Sequence, residues 1–125
     1  MSAATRSVLS RWFSTIDSDT PERILDLIAP GFRFSIVFGT GGGAATDFHG
    51  GRAELEGYLD QREKGVLTHH VLSEAVVGRD ELVLGQARRA GAFESTFVAS
   101  ARLDADDRVA ALMIGRSPQL DIESI

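Results

Sequence analysis

Two adjacent histidines, His69 and His70, are the side chains in this sequence best suited to proton transfer near neutral pH. They stand at the start of a run, residues 68–77, that is predicted to be a strand. Side chains alternate between the two faces of a strand. The face that His69 shares with Val71, Ala75 and Val77 is the more apolar one, which favours His69 as the inward residue. The alternative for either histidine is a strand-edge position with hydrogen bonds to the backbone.

Charged groups elsewhere have less specific roles. Arg88 and Arg89 end a predicted strand, where one could reach a cavity and pair with a ligand carboxylate or with Glu94. The commoner role of such arginines is a solvated surface. The chain has three histidines without metal-ligand spacing and no cysteine, so thiolate metal sites and disulfides are excluded. We therefore expect neither a metal nor another cofactor.

The glycine-rich segment FSIVFGTGGGAATDFHGG, residues 34–51, raises the possibility of a phosphate-binding loop. Such a loop leads from a strand directly into the first turn of a helix and ends in Gly-Lys-Ser or Gly-Lys-Thr. Here that ending is missing, Gly43 lies well before the next predicted helix, and the chain continues into hairpins. The segment is therefore predicted to be a mobile loop at the opening of a pocket.

Composition limits the classes of partner. The 125 residues fit one domain, residues 1–125, with 43% hydrophobic residues and a formal net charge of −5. The negative charge argues against nucleic acid and anionic membranes as partners. No apolar run reaches the length of about 20 residues that a bilayer span requires, and the first residues lack the apolar segment of a signal peptide. We expect a cytoplasmic protein.

Hydrophobic spacing gives the order of the elements. Helices are predicted at about residues 5–17, from Pro21 to about Ile28, and at about residues 52–63. Strands are predicted at 32–38, 68–77, 82–89, 92–103 and 108–115, with a loosely held tail at 117–125. Three helices followed by a long meander predict an α+β fold, in which a curved antiparallel sheet carries the helices on one face.

This order resembles the nuclear-transport-factor-2-like superfamily, in its SnoaL-like (polyketide cyclase) branch. The residues that carry the resemblance are RWF at 11–13, PERILDLIAPGF at 21–32, FHGGRAELEGYL at 48–59 and THH at 68–70. The resemblance implies a cone, in which a curved cystatin/NTF2-like sheet wraps around three N-terminal helices and encloses an apolar cavity. It also implies a homodimer formed through the sheet and a small hydrophobic ligand.

The same resemblance suggests site residues. The tyrosine that ketosteroid isomerases carry on the first helix aligns with Trp12, and their two acids align with Ile36 and Ala99, neither of which can transfer a proton. The scytalone-dehydratase-like pattern favours His70 as the inward acid–base, against the periodicity that favours His69. The expected ligand-binding residues are apolar or aromatic: Trp12, Phe34, Ile36, Phe38, Tyr58, Phe97, Ala99 and Met113.

Three functions remain open at this point. The first is a cyclase, dehydratase or isomerase acting on a small polyketide- or terpenoid-like molecule, with His70 or His69 moving the proton. The second is a binding protein that uses the same cavity without chemistry. The third is an interaction module, in which the sheet face pairs with a partner and the cavity has no role. The first two require a dry hollow between the sheet and the helices. For the homodimer, Val83, Ala87, Val98 and Ser100 are expected to supply the apolar sheet face.

Overall fold

The computed structural model describes residues 7–39, 45–62 and 65–125. Its helices are α1 (Val8–Ile16), a 3-10 helix (Pro21–Leu27), α2 (Arg52–Gln61) and a 3-10 turn (Ile122–Ser124). Its strands are β1 (Ile28–Gly39), β2 (Ala45–Gly50), β3 (Leu67–Val77), β4 (Asp80–Arg89), β5 (Ala92–Leu103) and β6 (Val109–Ser117).

The six strands form one curved sheet in the order β2-β1-β6-β5-β4-β3. β3 to β6 are a continuous antiparallel meander, and β1 joins it by parallel pairing with β6. The predicted α+β class and NTF2-like architecture are confirmed. The sheet is mixed and not wholly antiparallel, because β1 runs in the same direction as the strand that closes the meander.

The segment predicted as the second helix is a 3-10 helix, and it ends earlier than expected. Pro21 occupies its first turn and lies buried, as the sequence indicated. Ile28, expected on the inner face of that helix, is instead the first residue of β1 and pairs with Val109 of β6. The pairing is irregular between Ile28 and Arg33, a stretch that contains Gly31 at φ +76°, which glycine adopts without strain.

Sequence analysis missed one strand, β2, within the glycine-rich segment. Ala45–Gly50 pairs antiparallel with the end of β1, in a register that sets Ile36 opposite Phe48. Gly41–Gly43, the centre of the predicted mobile loop, lie outside the described residues, as does Glu63, the predicted end of the third helix. The segment is therefore at least in part a hairpin that extends the sheet.

Aromatic side chains fill most of the space expected to be hollow. A column of ring contacts links α1, the sheet and α2, with centroids 5.4 to 5.9 Å apart, and it runs through Trp12, Phe32, Phe34, Phe48 and Tyr58. Phe13 of α1 packs at 4.8 Å on Phe97 of β5. Both rings are almost fully buried. The deep part of the cone around these rings is thus a packed core, although a concavity of about 430 Å³ remains between α1 and β3, beside Phe13 and His69.

Two glutamates from the sheet fix the start of α1. The Glu81 carboxylate accepts hydrogen bonds from the backbone N–H groups of Val8 (3.2 Å) and Leu9 (2.8 Å). Glu74 accepts from the backbone N–H of Ser7 (3.3 Å) and the hydroxyl of Ser10 (2.8 Å). Carboxylates at a helix N-terminus satisfy N–H groups that lack partners within the helix. The opposite end of α1 is thereby held over the start of β3.

The outer face of the sheet carries exposed apolar side chains: Val37, Leu72, Leu82, Val98 and Met113. Val98 was predicted on this face, but Val83 and Ala87 were predicted there wrongly. Both are buried, because β4 pairs Val83 with Ala99 and Ala87 with Ser95 on the inner face. Leu82 occupies the outer position on β4 instead.

The tail is fastened to this outer face, contrary to the predicted loose end. The Thr96 hydroxyl donates to the carbonyl of Leu120 at 2.5 Å and accepts from the N–H of Ile122 at 3.1 Å. The Gln86 amide donates to the Asp121 carboxylate at 2.9 Å. None of the helices within the described residues is long and apolar enough to cross a membrane.

Candidate functional site

His69 is the inward histidine of β3. Its side chain is only 1% exposed and packs against the rings of Phe13 (4.9 Å) and Phe97 (5.4 Å). His70 has the opposite parity, remains partly exposed, and its Nε2 lies 3.0 Å from the Thr68 hydroxyl. His69 is thus the inward residue, as the periodicity favoured, although Ala75 and Val77, two of the residues behind that prediction, are exposed. The orientation that the resemblance favoured for His70 was wrong.

A β-bulge explains why the pattern of β3 was ambiguous. The pairing with β4 skips Leu72, so that Val71 lies opposite Gly85 and Ser73 opposite Leu84. One extra residue reverses the alternation beyond it. His69 and Val71 face inward before the bulge, and Glu74 faces α1 after it. A single alternation rule applied to the whole strand could not assign both halves.

Asp17, directly after α1, holds His69 in place. Its Oδ1 lies 2.8 Å from His69 Nδ1, and its Oδ2 accepts from the backbone N–H of His69. The same carboxylate accepts from the Arg62 guanidinium at 3.0 Å. Arg62 also donates to the Leu67 carbonyl at 3.0 Å and to the Tyr58 hydroxyl at 3.4 Å. Arg62 thereby ties the end of α2 to the start of β3.

Arg116, near the end of β6, contacts the other ring nitrogen of His69. Its terminal nitrogen lies 3.0 Å from His69 Nε2, and its guanidinium sits 4.8 Å from the centroid of the Phe38 ring. Its Nε is buried and has no hydrogen-bond partner within the described residues. A buried donor without a partner costs about 1–3 kcal/mol, so the fold holds this guanidinium at a cost.

The contacts of His69 define its protonation state. An arginine can only donate, so Nε2 must be the acceptor, and Nδ1 carries the proton that is donated to Asp17. The imidazole is therefore neutral. Burial lowers the pKa of His69, Arg116 and Arg62 lower it further, and Asp17 opposes them. Burial likewise lowers the pKa of Arg116, against the attraction of Tyr58 and Glu94.

A pocket of about 400 Å³ opens beside this cluster, at the end of the sheet where β1, β4 and β6 finish. We call it the Arg116 pocket, and its lining residues are Phe38, Tyr58, Gln61, Arg62, Leu67, Arg89, Glu94 and Arg116. Its volume is typical of small-molecule sites. A larger concavity of about 620 Å³ lies at the other end of β1, around Pro30 and Arg108, away from the Asp17–His69 pair. Within the described residues, no three potential metal ligands lie together.

The structure divides the expected ligand-binding residues into three groups. Phe38 and Tyr58 line the Arg116 pocket. Met113 lies on the outer face and is 61% exposed, so its expected place in the cavity wall is wrong, because Leu112 and Ile114 take the inner positions on β6. The remaining residues are buried in the core and line no pocket described for this structure: Trp12, Phe34, Ile36, Phe97 and Ala99.

Three polar residues of the site were missed in the sequence. Arg116 shares the inward parity of Leu112 and Ile114, a signal that was available in the alternation of β6. Arg62 and Asp17 gave no such signal, because each follows the end of a helix. Of the two candidate arginines on β4, Arg89 lines the pocket and pairs with Glu94 at 2.8 Å, one of the two partners considered for it.

The sequence matches no model of a protein family and no curated protein. Its structure is similar to solved ones. A protein assigned as an isomerase of the SnoaL-like family from Agrobacterium tumefaciens superposes with a TM-score of 0.66 at 8% identity, over 88% of this chain and 94% of that one. A protein assigned as a polyketide cyclase from Sinorhizobium meliloti gives 0.61 at 20% identity, over 91% and 98%. An NTF2-like protein of unknown function from Cytophaga hutchinsonii gives 0.59 at 12% identity, over 93% and 96%.

Proposed function

We propose, from the SnoaL-like NTF2 fold of this chain and its site, that the protein is an enzyme that moves a proton on a small carbonyl compound. Isomerisation, cyclisation and dehydration are the reactions that such a step supports. The observation that carries the proposal is the buried Asp17–His69 pair, whose Nε2 lies directly behind Arg116, a residue that lines the Arg116 pocket. A carboxylate that holds one nitrogen of an imidazole fixes the tautomer in which the other nitrogen accepts a proton.

The proposed step begins with an exchange of partners at Arg116. A carbonyl oxygen of the substrate takes the N–H that Arg116 donates to His69, which frees Nε2. Nε2 then removes a proton from the carbon next to the carbonyl, the C–H electron pair becomes the C=C bond, and the negative charge moves to the oxygen beside Arg116. A guanidinium placed where charge develops stabilises that enolate. Return of the proton to another carbon completes an isomerisation.

One observation favours a second function, a binding protein without chemistry. The Arg116 guanidinium already occupies Nε2, and the surrounding arginines and burial lower the pKa of His69. Both effects make His69 a weak base until Arg116 turns towards a ligand. In this alternative, His69 only positions Arg116, and the pocket carries a ligand without converting it.

Exchange of carbon-bound hydrogen for deuterium separates the two functions without knowledge of the natural substrate. Bicyclic ketones such as 1-tetralone would be incubated in D2O with the wild type and with His69→Gln, Asp17→Asn and, as a control, His70→Gln. We expect exchange above the buffer rate with the wild type and His70→Gln, and a loss of about 100-fold or more with His69→Gln. Ketones that bind, as seen by NMR, but exchange no faster than in buffer would establish the binding protein instead.

We also propose that the protein forms a homodimer through its outer sheet face, as the resemblance implied. The support is the group of exposed apolar side chains Leu82, Val98 and Met113 on neighbouring strands, where Leu82 of β4 and Met113 of β6 both pair with Ser100 of β5. Sedimentation velocity at micromolar concentration should give a dimer for the wild type and a monomer for Val98→Glu. A monomeric wild type would contradict the proposal.

A further inference from the structure

The charges of the Arg116 pocket are unequally paired. Its lining contains three arginines and one glutamate. Arg62 is neutralised by Asp17 at 3.0 Å, and Arg89 by Glu94 at 2.8 Å. Within the described part of the chain, Arg116 forms no ion pair with a carboxylate. The pocket therefore presents one cation whose charge the described residues do not balance by direct contact.

The contacts of Arg116 hold it in place without neutralising it. Its hydrogen bond to His69 at 3.0 Å goes to a neutral acceptor, and its stacking partner, Phe38, is also uncharged. Its Nε has no partner, and the atom is buried within the described structure. Guanidinium groups recognise carboxylates with unusual strength because several N–H donors meet two oxygens in one plane. The geometry of Arg116 thus fits an anion-binding group supported from two sides.

We propose that the Arg116 pocket binds a small organic carboxylate with an aromatic or alicyclic body. The carboxylate would lie against Arg116, and the body against the apolar walls formed by Phe38, Tyr58 and Leu67. This inference rests on the proposed function in that it concerns the same pocket, and it narrows the expected hydrophobic ligand to an acidic one. A keto acid, or an acid whose enolate forms on the enzyme, would satisfy both the carboxylate proposal and the proposed proton transfer.

The pocket favours a monoanion over a phosphate ester. Glu94 lies at the same opening and is partly exposed, so a dianion would meet both its charge and the overall charge of −5. Phosphate sites usually combine several backbone N–H groups at a glycine-rich turn or helix start. The described lining offers side chains instead, with one arginine lacking a carboxylate partner.

Two probes of nearly equal shape test the proposal: 1-naphthoate and its neutral amide, 1-naphthamide. Their dissociation constants would be measured by isothermal titration calorimetry at low salt and neutral pH. The variants are Arg116→Gln and Arg116→Lys, and the matched control is Arg102→Gln, which removes an arginine paired with Asp80 on the surface. Thermal unfolding of each variant verifies that it is folded. If Arg116→Gln does not fold, Arg116→Lys, which keeps the charge but loses the planar fork, decides the outcome.

For the wild type and Arg102→Gln, we expect the carboxylate to bind at least about tenfold more tightly than the amide. Arg116→Gln should abolish this preference, and Arg116→Lys should reduce it. Equal affinities in the wild type, an unchanged preference in the decisive Arg116 variant, or no carboxylate binding at millimolar concentration would overturn the proposal. Because the readout is equilibrium binding, the two proposals can fail separately. A preference for the carboxylate without deuterium exchange would refute only the catalytic function. Deuterium exchange without a preference for the carboxylate would refute only the carboxylate proposal.

Discussion

Because His69 is buried and neutral in the folded protein, we expect mild acid to destabilise the protein. The unfolded histidine binds a proton below a pH of about 6.5, whereas in the folded protein burial, together with Arg116 and Arg62, lowers the pKa of the ring. Acid therefore favours the unfolded chain. The stabilising contribution is fully present above about pH 6.5 and is lost as the pH falls towards the lowered folded pKa.

The size of the effect follows from a single proton. One bound proton changes the free energy of unfolding by up to about 1.4 kcal/mol per pH unit in this window. When the pH falls from about 7.5 to about 5.5, protonation of His69 in the unfolded chain should thus lower the free energy of unfolding of the wild type by up to roughly 1.4 kcal/mol. Because a urea m-value of about 1–3 kcal/mol/M is usual for small domains, the urea midpoint should fall by at most roughly 0.5–1.4 M, the larger limit applying to the smaller m-value.

The assay compares urea unfolding at the two pH values for the wild type, His69→Gln and His70→Gln. Carboxylate titration contributes similarly to all three and cancels in the comparison. At the higher pH, His69→Gln should be less stable than the wild type. Its free energy of unfolding should then fall less than that of the wild type at the lower pH, because the contribution of His69 is missing. His70→Gln should show the same fall as the wild type. Nitrogen chemical shifts should identify the Nδ1–H tautomer of His69. Parallel pH dependences for the wild type and His69→Gln, or a protonated ring at neutral pH, would refute the assigned contacts.

Three further outcomes follow from the packing. Gly85→Ala should destabilise the protein by about 1–3 kcal/mol, because a methyl group there would meet the Phe97 ring at 2.4 Å and the His70 carbonyl at 2.8 Å. Chemical denaturation measures the change in the free energy of unfolding. A neutral effect would contradict the close packing at Gly85. Gly57→Ala in α2, where nothing lies within 4 Å, is the matched control and should stabilise by about 0.5–1 kcal/mol. Glu81→Ala removes the carboxylate that accepts from the backbone N–H groups of Val8 and Leu9 and should cost about 2–3 kcal/mol. An unchanged midpoint in the same assay would show that those two hydrogen bonds add nothing.

Much of the fold was readable from local pattern. Helical spacing in Val8–Ile16 and alternation along β5 predicted which side chains face inward, and Phe97 and Ala99 are indeed buried. These predictions succeeded because a sheet with one buried face imposes a period of two on its strands, and a helix with one buried face a period near 3.6. The NTF2-like architecture was implied by the resemblance of this element order, and of four short segments, to a known superfamily.

The site depended on information that no local pattern contains. Asp17 and His69 are 52 positions apart and meet because α1 packs across the sheet, where two glutamates anchor its far end. The bulge at Leu72 decides which residues of β3 face inward on each side of it, and it arises from pairing with β4. Sequence alone therefore determined most of the elements, though not β2, and most of their buried faces. Tertiary packing decided the neutral state of His69 and its contact with Arg116, because burial and ion pairing are properties of neighbours brought together by folding.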